Sequence, residues 1–121
     1  MKIIGIGNDI IEVSRIEKAV QKERFQKRVF TENEIAVMEA RKTKYEGYAG
    51  RFAGKEAVAK ALGTGVSGFG WNDIEILNDP RGKPYVLLHG PIPELYPGIR
   101  VEITISHLKE YAIATAVAWI E

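Results

Sequence analysis

The residues best placed to do chemistry are two carboxylates and a lysine. Glu56 lies in Gly50-Arg-Phe-Ala-Gly-Lys-Glu-Ala-Val-Ala-Lys-Ala-Leu-Gly63. At about 100° per residue it falls within roughly 40° of Phe52, on the helical stripe that also carries Tyr45 and Tyr48. A carboxylate on an apolar stripe is costly unless it is paired or holds a metal. Lys60, one turn on, offers the plain alternative of an i,i+4 ion pair. Asp9 ends Ile4-Gly-Ile-Gly-Asn-Asp9, an apolar run, and either caps the next turn or supplies a second acid. Two carboxylates from separate elements beside a lysine suit Mg2+. That ion takes one or two carboxylates, keeps some waters and completes its shell with substrate phosphate oxygens.

Phosphate would also suit the glycine-rich run Gly63-Thr-Gly-Val-Ser-Gly-Phe-Gly70, whose backbone N–H groups can approach an anion. The run is not a Walker A loop, because no Gly-Lys-Ser/Thr closes it and it follows a helix. A helix C-terminus repels anions, so Lys60 or a neighbouring cation would have to offset it. His107 ends an alternating segment, where a histidine is ordinarily a satisfied core residue. Ser106 and His107 are adjacent on a strand and point to opposite faces, so they do not form a nucleophile pair. His89 has no evident partner. The chain has no cysteine, which excludes disulfides, thiolate catalysis and zinc–thiolate sites and fits a reducing compartment.

The elements that must position these groups can be read in order. Residues 2–12 read as a strand with isoleucines on both faces, as in a buried strand. Gly5 and Gly7 interrupt it, which suggests a bulge or a close backbone approach. Three capping boxes follow, Ser14…Glu17, Thr31…Glu34 and Thr43…Glu46, each heading a helix. The last helix is long, about Lys44 to Leu62, with Gly63 at the left-handed position that ends it. Residues 71–77 and 83–88 read as a hairpin closed by Asn78-Asp-Pro-Arg-Gly82. The proline-rich stretch 90–98 is irregular, with room for one helical turn. Arg100–His107 and Tyr111–Ile120 alternate as strands, and Ala112, Ala114, Ala116 and Ala118 make one smooth face for a helix or another subunit. One strand, three helices and four strands imply an α+β fold, an antiparallel sheet packed against one long helix and shorter helices, in a single domain over 1–121.

A 121-residue chain, 45% hydrophobic, can bury a core, and at this modest size oligomerisation would add buried surface. Its net charge of +1 argues against nucleic-acid binding. No apolar run approaches a signal segment or a membrane span. Basic residues concentrate in Arg15, Lys18, Lys22, Arg24, Lys27 and Arg28, either a solvated helix face or a patch for an acidic partner.

Taken together, the segments resemble the holo-acyl-carrier-protein synthases, the small type of 4′-phosphopantetheinyl transferase. Four stretches carry the likeness: Ile4-Gly-Ile-Gly-Asn-Asp9 with Arg15-Ile16; Arg24-Phe25 through Arg28; residues 50–65; and Val101-Glu-Ile-Thr-Ile-Ser-His107 with Lys109-Glu-Tyr-Ala112. The turn Gly82-Lys-Pro84 also fits, and the likeness runs in order from residue 1 to about residue 118. Gly54 and Leu108 depart from the usual pattern, the first at some cost to helix stability.

The resemblance implies a cytoplasmic, Mg2+-dependent homotrimer with active sites at subunit boundaries, serving fatty acid biosynthesis. It would move 4′-phosphopantetheine from coenzyme A to a serine of apo acyl carrier protein. Asp9 and Glu56 would hold Mg2+, Glu56 would act as base and Lys60 on the leaving phosphate. Coenzyme A would lie on Lys60, Gly63, Gly65, Gly82, Lys83, Pro84, Ser106 and His107, with Arg51 and Lys55 as further phosphate contacts. Arg15, Arg24, Phe25 and Arg28 would meet the acidic helix of the carrier. The alternative is a binding module for a nucleotide or an acidic protein, in which Glu56 and Lys60 form an ordinary salt bridge.

Overall fold

The computed structural model describes residues 1–121. In chain order it contains β1 (Lys2–Glu12), α1 (Val13–Val20), α2 (Glu23–Val29), α3 (Glu32–Glu39), α4 (Lys44–Ala61), a 3-10 turn (Trp71–Asp73), β2 (Ile74–Asn78), β3 (Pro84–Leu88), α5 (Ile92–Leu95), β4 (Arg100–His107) and β5 (Tyr111–Ile120). This is the expected α+β architecture. The strands split into an antiparallel three-stranded sheet, ordered β1-β5-β4, and a separate β2-β3 hairpin.

Helix α4 is the organising element. It is buried nearly all round, and its two sides meet different layers. Ala53, Ala57, Val58 and Ala61 pack against Ile74, Ile76 and the alanine face of β5. Tyr48 and Ala49 pack against α1, α2 and α3 through Ile16, Val29, Phe30 and Met38. Small residues on both surfaces let helix and sheet approach closely. An added Cβ on Gly7 would stand 1.9 Å from the Ala57 carbonyl oxygen, and one on Gly5 2.2 Å from that of Ala61. The two glycines in β1 therefore serve a close backbone approach, and a bulge between Ile3 and Gly5 accompanies it. Gly54 has a packing role as well, since a Cβ there would meet Ile76 and Ile103 side-chain carbons at 2.6 and 2.9 Å.

Several local expectations are corrected. Only Thr31…Glu34 forms a capping box. Helix α1 begins at Val13, whose N–H bonds to Glu110 O, so Ser14 is already inside it. Thr43 precedes α4 without a side-chain cap, its backbone off the extended conformation an N-cap usually takes, and the Glu46 carboxylate is engaged with His107 instead of reaching back. The basic stretch is two helices broken after Val20, not one. Trp71 to Asp73 is a turn rather than strand: the Asp73 carboxylate accepts from Gly70 N–H at 2.8 Å and folds the chain back before β2. Strand β1 is not buried on both faces, because Ile6 and Ile10 are 69% and 59% exposed. The alanine face of β5 is covered by α4, so it is not the surface left for another subunit.

Candidate active site

Asp9 and Glu56 come near one another where β1 crosses α4, close enough for the Asp9 charge to act on Glu56. Asp9 lies two residues beyond Gly7 on the same face of β1, so the close approach at Ala57 carries its carboxylate to the helix. Lys60 Nζ donates to Asn8 O at 2.8 Å and lies 3.2 Å from Asp9 Oδ1. The lysine thus bridges to the strand; the i,i+4 pair with Glu56 expected from spacing is not made. Glu56 is half-buried, and its pKa is raised by that burial and then by the Asp9 charge, with Lys60 acting in the opposite sense. Two acids close enough to feel each other's charge are chemically suited to a divalent cation, which would offset the part of the Glu56 shift that Asp9 adds to burial.

The glycine loop begins one turn past Lys60. Gly63 and Gly65 have φ of +89° and +62°, and nothing lies within 4 Å of where either would carry a Cβ. Both therefore turn the chain and leave an open surface beside the lysine. Gly63 N–H bonds to Lys60 O at 3.0 Å, which ends α4 as its sequence predicts.

A second polar cluster forms at the opposite end of α4. A cavity of about 160 Å3 is lined by Arg41, Glu46, Arg51, Asn78, Gly82, Pro84 and His107, among others. Arg51 is 3% exposed and donates through Nη2 to Asn78 Oδ1, which Arg41 Nη2 also reaches at 3.0 Å. Burial, and then the charge of Arg41, pushes the Arg51 pKa down to about 10. Its Nε is buried without a hydrogen-bond partner. Two guanidiniums crowded around one amide oxygen, with an orphaned donor, make a strongly anion-seeking pocket. His107 Nδ1 sits 2.9 Å from Glu46 Oε1 at its rim.

The residues that sequence reasoning grouped for one nucleotide are therefore divided. Lys60, Gly63 and Gly65 stand with the carboxylates. Gly82, Pro84 and His107 line the arginine pocket, and ten residues of helix, about 15 Å of rise, separate Glu46 from Glu56. Ser106 is exposed on the other face of β4, outside the pocket, and Lys83 is tied to Glu102. Lys55 is no phosphate contact. It is fully buried, 2.7 Å from Glu34 Oε1, and also donates to the Trp71 and Ile74 carbonyls. His89 does have a partner, Glu75 at 3.0 Å. Arg41, Glu46 and Asn78 were missed, since each is an ordinary polar residue until the fold gathers them.

Arg15, Arg24 and Arg28 are exposed along α1 and α2. Phe25 is half-buried, its ring centroid 6.4 Å from Phe52, which in turn stacks on Trp71 at 5.0 Å. Phe52 is one turn before Glu56, so this apolar rail leads from the basic helices to the carboxylates.

Residues 5–116 match the family model of the 4′-phosphopantetheinyl transferase superfamily. A Fusobacterium nucleatum protein named holo-[acyl-carrier-protein] synthase is 47% identical over 119 residues, covering 95% of this chain and 98% of the relative. A crystal structure of a Bacillus anthracis holo-(acyl-carrier-protein) synthase in complex with CoA (3′,5′-ADP) superposes with a TM-score of 0.86 at 42% identity, covering all of both chains. A Helicobacter pylori holo-[acyl-carrier-protein] synthase in complex with coenzyme A superposes with a TM-score of 0.84 at 34% identity, over 94% of this chain and 99% of that one.

Proposed function

The chain belongs to the 4′-phosphopantetheinyl transferase superfamily, and from that premise we propose how its residues carry out the transfer. The reaction moves 4′-phosphopantetheine from coenzyme A to a serine of apo acyl carrier protein, giving the holo carrier and 3′,5′-ADP. The observation that carries the reading is the meeting of Asp9, Glu56 and Lys60 beside an open glycine loop. In this reading residues 1–121 act as one transferase domain serving fatty acid biosynthesis in the cytoplasm, a reducing setting that the cysteine-free composition fits.

Asp9 and Glu56 would hold Mg2+. When bound, the ion supplies positive charge to the phosphate oxygens as negative charge shifts among them. The remaining steps belong to the chain. Glu56 accepts the proton of the carrier serine, directly or through a water. The serine oxygen forms a bond to the β-phosphorus as the bond to the bridging oxygen breaks. Lys60, anchored on Asn8 O, stabilises or protonates the departing phosphate. Gly63 and Gly65 let substrate approach the backbone.

The arginine pocket has the character of a site for a phosphate group of the nucleotide half. Arg51 and Glu56 are five residues apart on α4, about 140° around its axis, so they leave the helix on different sides, a layout that suits a homotrimer whose active sites lie at subunit boundaries. The outward face of the sheet supplies the apolar surface for that assembly. Ile6, Ile10 and Ile113 are all exposed there, beside Val117.

Arg15, Arg24 and Arg28 would steer the acidic carrier, with Phe25 as the apolar anchor among them.

Intact-mass spectrometry of an apo acyl carrier protein incubated with the chain, coenzyme A and Mg2+ tests the proposal. The carrier should gain one phosphopantetheine, and EDTA or Glu56→Gln should abolish the gain. A gain that survives both would remove the metal and base roles.

A further inference from the structure

The basic helices are not simply laid on the core; they are tied to α4 by a side-chain relay that the reaction leaves unexplained. Tyr48 is fully buried. Its hydroxyl donates to Glu39 Oε2 at 2.8 Å and accepts from Gln26 Nε2 at 2.9 Å. Glu39 ends α3, and its other oxygen is 3.2 Å from Lys44 Nζ. One phenol thus joins α2, α3 and α4. Nearly one turn earlier on α4, the Tyr45 hydroxyl accepts from Gln21 Nε2 at 3.0 Å. Gln21 lies at the elbow between α1 and α2 and also donates to Glu17 O. Two tyrosines of one helix therefore hold two glutamines of the basic segment.

The positions of these residues are what give the relay a purpose. Gln26 sits between Phe25 and the last turn of α2, which bears Arg28, so its hold on Tyr48 fixes the rotation of α2 about its own axis. Tyr48, Phe52 and Glu56 follow one another at i, i+4 and i+8 on one stripe of α4. Tyr48 holds Gln26, Phe52 meets Phe25, and Glu56 faces the site. The stripe works as a ruler of about 12 Å between the hold on α2 and the base. A short helix of seven residues has little rigidity of its own, so an external tie is needed to present its surface at a set angle. Burial, and the hydrogen bond to Glu39, keep Tyr48 protonated as a donor by raising its pKa.

We infer that Tyr48, acting through Gln26 and Glu39, is a positioning residue for the acyl carrier protein. It sets the angle at which α2 presents Arg24, Phe25 and Arg28, and hence the reach of the carrier serine to Glu56. The inference rests on the reading of those three residues as the carrier platform.

Steady-state kinetics of Tyr48→Phe and Gln26→Met test it, with apo carrier and coenzyme A varied in turn. Tyr48→Phe keeps the ring and its edge contact with Phe30, and Gln26→Met changes a half-buried side chain, so at least one should remain folded. Each variant should raise the KM for carrier on the order of 5-fold, the loss of one buried hydrogen bond. The KM for coenzyme A should stay within about 2-fold of the parent, inside ordinary context dependence for a remote change. The double variant should be no worse than the worse single one, because both cut the same relay. Arg24→Ala and Arg28→Ala are measured alongside. If they raise the carrier KM while Tyr48→Phe and Gln26→Met alter only the melting temperature, the relay is merely structural and the inference fails with the platform intact. If the arginine variants leave the carrier KM unchanged, the platform reading itself fails, and the inference with it.

Discussion

The Lys60 ammonium lies 3.2 Å from Asp9 Oδ1, across the β1–α4 contact, although Glu56 is only one turn away on the same helix. The lysine therefore pairs with the strand acid rather than the helix acid, while the Asp9 charge still acts on Glu56. That arrangement distinguishes the two carboxylates of the metal-free chain: Asp9 is held by the lysine, while the half-buried Glu56 has a raised pKa.

The first prediction follows from the sign of that shift. A carboxyl whose folded pKa is raised holds its proton more tightly in the folded chain than in the unfolded one. Below the ordinary value of 4.5 both states are protonated and nothing is lost. As pH rises through the raised folded value, the folded chain loses stability. Glu56→Gln should therefore stabilise the metal-free chain at pH 7, by less than about 1 kcal/mol after solvent screening, and the gain should vanish near pH 4. Thermal unfolding in EDTA at the two pH values reads this. A destabilised variant at neutral pH would show that the carboxylate is not crowded.

The second prediction concerns the contact that delivers Asp9. Gly7→Ala puts a methyl group into the Ala57 carbonyl, which only a displaced strand or helix can accommodate. It should cost about 3 kcal/mol, the upper end of overpacking, and should lower kcat steeply in whatever fraction stays folded. Urea denaturation and specific activity check both parts. Normal activity from Gly7→Ala would mean that the β1–α4 spacing does not set the site.

The buried Glu34–Lys55 pair gives the third. Glu34 accepts from Lys55, from Thr31 N–H and from Ile76 N–H, so it links α3, α4 and β2. Burial lowers the Lys55 pKa, and Glu34 opposes that. Lys55→Met should cost about 3–5 kcal/mol by stranding the acid, and adding Glu34→Gln should restore much of the loss. Equal destabilisation in the single and double variants, measured in urea, would mean the pair acts through packing rather than charge.

Fourth, Ile6→Lys places a charge on the exposed apolar sheet face. Light scattering should find a monomer, and transfer activity should fall with the assembly. An Ile6→Lys variant that assembles like the parent, or is monomeric and fully active, would remove that face from the active assembly.

Much of the fold was legible because its signals are local. The period-2 runs at 100–107 and 111–120 and the glycine that ends α4 each act within a few residues. The same local logic misread Ser14 and Thr43 as caps. Capping-box spacing says nothing of competing partners, and Glu46 was drawn to His107, 61 residues away. Asp9, Glu56 and Lys60 were legible as chemistry, but not as to which acid the lysine would take, because that depends on how closely two glycines bring a strand to a helix. Lys55 shows the converse. Next to Glu56 in sequence it looked available to phosphate, yet it points into the core on the other side of α4. The arginine pocket was least legible, as Arg41, Arg51 and Asn78 come from three elements and acquire meaning only together.

The most direct measurement mixes two variants. Glu56→Gln disables the carboxylate centre, and Arg51→Gln with His107→Ala disables the arginine pocket. Each is assayed alone and after the two are unfolded and refolded together, with the mass gain of apo carrier protein as the readout. A site shared between subunits predicts little transfer from either variant alone and substantial transfer from the mixture, because some boundaries then pair an intact Glu56 with an intact pocket. A mixture no more active than its components, under conditions where parent chains refold to active trimers, would contradict a site built across two chains.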